Sequence, residues 1–222
     1  MSSLTRLILA FTAGYCDTAT FVHMHGVFSA HVTGNFVLFA AALISGLNTA
    51  DYLKLATFPV FLLAVLCGSY LFVSAARRKA SGLLRMLVAI TALMLLASAL
   101  AGLVRTDTGN ADIAVTLLLV LSMGLQNTLH HFIPGAMTTV MTGTVVTTTA
   151  RFARKLLGDD TLPPLAPGTT STFALMCLFA AGCLGGAVLA HGAWPFALLL
   201  PSALMILSCL RERATIRSGT AR

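Results

Sequence analysis

Two stretches of this chain carry the same polar residue types, at nearly the same spacing, inside runs that are otherwise apolar. The first spans residues 14–35, GYCDTATFVHMHGVFSAHVTGN, and the second spans 124–144, GLQNTLHHFIPGAMTTVMTGT. Gly14 matches Gly124, and Asp17 matches Asn127. With a one-residue gap, Gly26 matches Gly135, and Thr33-Gly34-Asn35 matches Thr142-Gly143-Thr144. Polar groups at membrane depth are expensive and tend to be functional. Asp17 is the only acidic residue within an apolar span. It reads as a carboxylate that couples a proton or a cation. The structural alternative is a hydrogen bond to the threonines or asparagine of the other copy. Asn127 holds the matching place without charge, where solute contact and polar packing are equally open.

The Thr-Gly triplets form the second element. Gly34 and Gly143 allow a backbone break, and Thr33, Asn35, Thr142 and Thr144 can satisfy the groups that a break frees. A helix starting there offers unpaired N–H groups and a positive dipole end, suited to a polar or anionic solute. Close helix packing is the alternative, since glycine and threonine also favour it. His31, His130 and His131 are candidates for a proton relay, because histidine titrates near neutral pH. Interfacial hydrogen bonding is the plainer use. His23, His25 and His31 lack a convincing carboxylate or cysteine partner, so no metal site is expected. Gln126 could line a cavity beside Asn127 or bond a neighbouring helix. Ala10, Gly14 and Thr18 make a small-residue face, as do Gly182, Gly185 and Gly186. His191 falls in a turn before Trp194.

These residues sit in an unusual frame. Of 222 residues, 57% are hydrophobic and 9% charged, far below the quarter or so typical of a soluble domain. The expectation is an all-α, polytopic membrane protein with one domain over 1–222. Six segments have crossing length: about 7–25, 56–76, 84–104, 113–133, 172–191 and 194–211. The first is read as a retained span rather than a signal peptide. Residues 29–46 and 136–151 are short or polar, and residues 157–171 read as a loop. Counted as crossings, these two segments give eight spans, and Lys plus Arg divide 10 inside to 4 outside. Counted as re-entrant, they give six spans and a division of 12 to 2, leaving only Lys54 and Arg105 outside. The positive-inside rule favours six, with both termini cytoplasmic. Halves of about 1–105 and 111–222 then hold three crossings each and lie inverted, with a site at their interface. The net charge of +7 sits at span ends, which argues against nucleic acid. Cys16, Cys67, Cys177, Cys183 and Cys209 form no Cys-x-x-Cys pair and read as reduced, packed thiols. No nucleophile elbow, phosphate loop or zinc motif is present, so neither catalysis nor a cofactor is expected.

At these same residues the chain resembles the YoaK family of bacterial inner-membrane proteins, a domain of unknown function. The elements are the G-x-x-D of Gly14 to Asp17, the H-V-T-G-N of His31 to Asn35, the G-L-Q-N of Gly124 to Asn127 and the T-G-T of Thr142 to Thr144. The resemblance covers nearly the whole chain. It implies a multi-span protein of the bacterial plasma membrane and supplies no substrate. The functional expectation rests on the residues: a small-solute transporter or channel in which Asp17 couples a proton or cation and Thr33, Asn35, Gln126, Asn127, Thr142 and Thr144 bind the solute or ion, with Thr33, Asn35, Asn127 and Thr142 lining the central site. A non-transporting partner or sensor subunit is the second reading. The lipid bilayer and an unknown small solute are the expected partners, and a chain of this size could also pack as a homodimer.

Overall fold

The computed structural model describes residues 1–103, 109–133, 138, 141–158 and 172–219. Arg105, Gly135 and residues 159–171 of the expected loop lie outside the described residues. The described residues form eight helices: α1 Ser3–His23, α2 Val32–Ser45, α3 Thr49–Arg77, α4 Gly82–Leu103, α5 Gly109–Phe132, α6 Met141–Leu157, α7 Thr172–Ala197 and α8 Leu199–Gly219. Four of them are long and apolar enough to cross a membrane: Asp51–Arg77, Gly82–Ala101, Asn110–Leu129 and Thr172–Trp194. α1 and α8 have 21 residues each, about 31 Å, but carry more polar groups. Leu66, Val188 and Leu184 are about 70% exposed. Such outward apolar side chains suit lipid rather than water.

Several helices start or end away from the apolar runs, because local chemistry sets the ends. α3 begins seven residues before the run at 56. Asn48 and Asp51 cap each other's backbone N–H there, and Lys54 Nζ donates to Asp51 Oδ1 at 2.6 Å. α1 begins at Ser3 because the Ser2 hydroxyl accepts the Thr5 N–H. α8 runs past 211 to Gly219. The expected turn before Trp194 is a break within α7, where Ala193 leaves helical geometry.

The core is built from α1, α4, α5, α7 and α8, with Leu9, Tyr15, Met86, Ile90, Met94, Leu119 and Met123 fully buried. Its tightest seam joins α1 to α7, running parallel. A Cβ on Gly14 would strike the Phe179 carbonyl oxygen, one on Gly182 that of Phe11, and one on Gly186 that of Tyr15. The small-residue faces read from the sequence therefore meet each other backbone to backbone. Gly124 sits against Ala64 and Phe61 on α3 in the same way, and α3 and α5 are also parallel. α1 and α5 are antiparallel. Gln126 meets Leu9, and His23 meets Asp112, fourteen residues further along α1 and fourteen back along α5.

α2 and α6 are short, at 14 and 17 residues. α2 packs along α3 and α6 along α7. After α1 the chain turns at His25 (φ 49°) and Gly26 (φ 96°), where Gly26 lies beside Lys54 in the first turns of α3. It then folds back until Ala30 and His31 reach Asp17, six residues before the α1 end. α2 returns along α3, with Asn35 on Thr57 and Phe36 on Phe58. In the second half, Thr138 reaches Gln126, six residues before the α5 end, and Arg151 on α6 reaches Thr172 at the start of α7. α2 thus belongs to a hairpin that dips into the bundle and leaves by the end it entered.

The amino-terminus is fastened to α8. Glu212 Oε1 accepts the Ser2 N–H and the Thr5 hydroxyl, both at 2.7 Å. Burial alone would raise the Glu212 carboxyl, but the Ser2 N–H, the Thr5 and Ser2 hydroxyls and the terminal amine together hold it below the ordinary range. A depressed folded-state value adds stability above the unfolded value, and that stability is lost as pH falls through the folded one. Thermal unfolding in detergent should therefore show wild type losing more stability on acidification below the ordinary carboxylate range than Glu212→Gln. The same assay should show Gly182→Ala destabilised by about 1–3 kcal/mol through forced separation of α1 and α7. Gly143→Ala, with no atom within 4 Å of the added carbon, should be neutral or gain about 0.5–1 kcal/mol.

Candidate functional site

Asp17 points from α1 into the first hairpin and is 4% exposed. Its Oδ1 accepts the N–H groups of Ala30 at 2.6 Å and His31 at 3.3 Å. Its Oδ2 lies 2.6 Å from Nδ1 of His31. The carboxylate thus takes up donors that the start of α2 would otherwise leave unpaired. His31 flanks the helix start with its side chain 38% exposed. Phe28 and Phe179 meet its ring edge-on, each with centroids 6.1 Å away. Across the seam, Cys183 lies against Gly14.

Asn35 closes the hairpin from the other side. Fully buried, it accepts the Phe28 N–H, donates to the Phe28 carbonyl and donates to Thr57 Oγ1, all at 2.9 Å. Its hydrogen bonds go to the loop and to α3. Gly34 packs against the Phe28 ring at 3.2 Å from a would-be Cβ. Thr33, beside it in the first turn of α2, is exposed.

Gln126 is fully buried and donates through Nε2 to the Leu9 carbonyl at 2.9 Å and to Thr138 Oγ1 at 3.1 Å. It bonds a neighbouring helix and its own hairpin. Asn127 is half-buried beside it, Thr144 is buried, and Thr142 and Gly143 are exposed in the first turn of α6. His131 is exposed, and the side chain of His130 lies outside the described residues. Asp17 is eight residues along α1 from Leu9, the level of Gln126. The two hairpin anchors are therefore about 12 Å apart along the bundle axis. α2 and α6 make no contact with each other among the described residues.

The structure sends the other histidines elsewhere. His23 Nε2 lies 3.1 Å from Asp112 Oδ1, and its ring stacks on Trp194 at 3.8 Å. His25 is exposed in the turn. Sequence reasoning missed the Asp17–His31 pair, because fourteen residues and a turn separate the partners. Asp112, one residue before its apolar run, and Glu212, one residue after its own, were passed over as span ends.

Asn35→Ala strands the Phe28 backbone groups and Thr57. The expected cost is about 1–3 kcal/mol per buried group left unpaired. It should appear as a lower unfolding temperature and as faster amide exchange over residues 27–31, whereas Thr33→Ala should leave both unchanged.

No curated protein matches this chain, and no solved structure does. A family model described as a protein of unknown function, DUF1275, matches residues 6–210, nearly the full length, and the chain belongs to that family.

Proposed function

We propose that this protein is a small-solute transporter or channel of the bacterial inner membrane. It has six crossings, two inverted halves of about 1–105 and 111–222, and both termini in the cytoplasm. The observation that carries the reading is the matched pair of hairpins. In each half the backbone dips into the bundle and is held by a polar side chain six residues before the preceding helix ends, Asp17 in one and Gln126 in the other. Non-helical backbone at membrane depth persists where protein covers it or where it lines a water-filled cavity. The packing supports the inverted repeat as well. α1 against α7 corresponds to α5 against α3, α2 on α3 to α6 on α7, and α4 against α5 to α8 against α1.

In this reading the first turns of α2 and α6 face each other across the gap of about 12 Å between the anchors. Thr33, Thr142 and Gly143 are exposed there. Two helix N-termini directed at one space favour a polar or anionic solute. A non-transporting partner or sensor subunit is favoured by one specific observation: Asn35 and Gln126 bond their own hairpins, as a scaffold alone would require.

Two measurements test the proposal. Single cysteines replacing Leu47 and Arg78, both exposed, are labelled from outside intact cells. Six crossings require Leu47→Cys to label and Arg78→Cys to stay protected, and the reverse pattern means eight crossings. Proteoliposomes are then screened with small polar and anionic solutes. Uptake above empty liposomes, lost when Gly143→Leu fills the start of α6, is the expected result. Correct sidedness with no uptake across the panel would favour the partner or sensor subunit.

A further inference from the structure

Asp17 is the residue a sequence reader would choose as the coupling-ion ligand, yet its surroundings suit no metal cation. Hard cations take oxygen ligands. Each contact at the carboxylate is instead an N–H group or a ring nitrogen: Ala30 and His31 N–H at Oδ1 and His31 Nδ1 at Oδ2. The space a cation would need is already filled by the positive ends of N–H dipoles. A carboxylate in this setting stays an acceptor, so Nδ1 of His31 carries its hydrogen and donates it. That fixes the tautomer. In the neutral ring the free lone pair then lies on Nε2, the far nitrogen of a side chain 38% exposed while its partner is 6% exposed.

We infer that the coupling ion of this site is a proton, that it is carried on Nε2 of His31, and that Asp17 is the positioning residue that holds the ring in one tautomer. This rests on the transporter reading above. Protonation adds one hydrogen at Nε2 and breaks no bond to Asp17. The dyad passes from a net charge of −1 to zero. Because the same carboxylate holds the Ala30 and His31 N–H groups, proton occupancy acts directly on the clamp at the start of α2. An imidazolium on Oδ2 favours the ionised carboxylate that the loop needs, and its loss leaves a buried anion held by dipoles and a neutral ring. The edge-on phenyl rings of Phe28 and Phe179 flank the imidazole on two sides. Among the described residues, the other titratable group beside the dyad from a packed helix is Cys183 of α7. Lys54 of α3 is bound to Asp51 near Gly26, at the outer turn of the hairpin.

The test is nitrogen NMR of protein labelled at histidine in lipid nanodiscs, titrated across the neutral range with either potassium or sodium as the salt. Wild type should show one histidine whose neutral form is the Nδ1–H tautomer, the minor form in water, and which gains its proton at Nε2. His31→Asn, whose amide can still donate to Asp17, should fold and lose that resonance entirely. Asp17→Asn turns an amide group toward Nδ1 and should shift the neutral ring to the Nε2–H form. Exchanging sodium for potassium should move nothing. A neutral His31 in the Nε2–H form in wild type, a ring that does not titrate, or a resonance that shifts with sodium would overturn the inference. Should His31→Asn fail to fold, the wild-type tautomer and its response to Asp17→Asn decide alone. If the dyad titrates as described while proteoliposomes carry no solute, the proton site stands and the transporter reading fails.

Discussion

The architecture depends on how a membrane-buried backbone turn finds its hydrogen-bond partners. A helix can cross lipid because its N–H and C=O groups pair internally, and a turn cannot. The first hairpin solves this by borrowing acceptors and donors from side chains on the helices either side of it. Asp17 supplies acceptors for Ala30 and His31, and Asn35 supplies both an acceptor and a donor for Phe28. The ionised partner is the stronger one, since hydrogen bonds to a carboxylate are roughly twice as strong as neutral ones. A carboxylate at this depth would be prohibitive alone. Surrounded by three donors, it becomes the fixture that lets α2 begin inside the bundle.

The same requirement is met by different chemistry after α5. Gln126 donates through its uncharged amide to Thr138 and ties that segment to α1 through the Leu9 carbonyl. The first hairpin holds a titratable dyad, whereas the contacts described at Gln126 are between uncharged groups. The two described anchors thus differ in charge, and the titratable one lies on the α2 side. α6 carries Arg154 and Lys155 in its last turn, where cations complement the negative end of the helix dipole.

Much of the fold was legible in the sequence because lipid imposes length and composition. The long apolar runs became helices, and the glycine faces at 10–18 and 182–186 proved to be complementary surfaces. Helix ends were less legible, since they are set by caps such as Asn48–Asp51 that lie outside the apolar runs. The polar signature pointed to the right places, and Asp17, His31, Asn35 and Gln126 all gather at the hairpins. What the sequence could not give was the partner of each. Asp17 and His31 are joined by a change of chain direction, which composition does not encode. The three bonds of Asn35 to Phe28 and Thr57 likewise depend on where the chain turns back.

The seam between α1 and α7 bears on how the chain is made. The glycines that let the two backbones touch lie some 170 residues apart, with five helices between them. At ordinary translation speeds of about 5–20 residues per second, α1 waits roughly ten to thirty seconds before its partner emerges from the ribosome. During that interval its small-residue face has no seam to enter, whereas the hairpin partners of Asp17 follow within fourteen residues. Until α7 arrives, the face of α1 that will meet it rests against something other than its final partner, while its carboxylate is already held by the first hairpin.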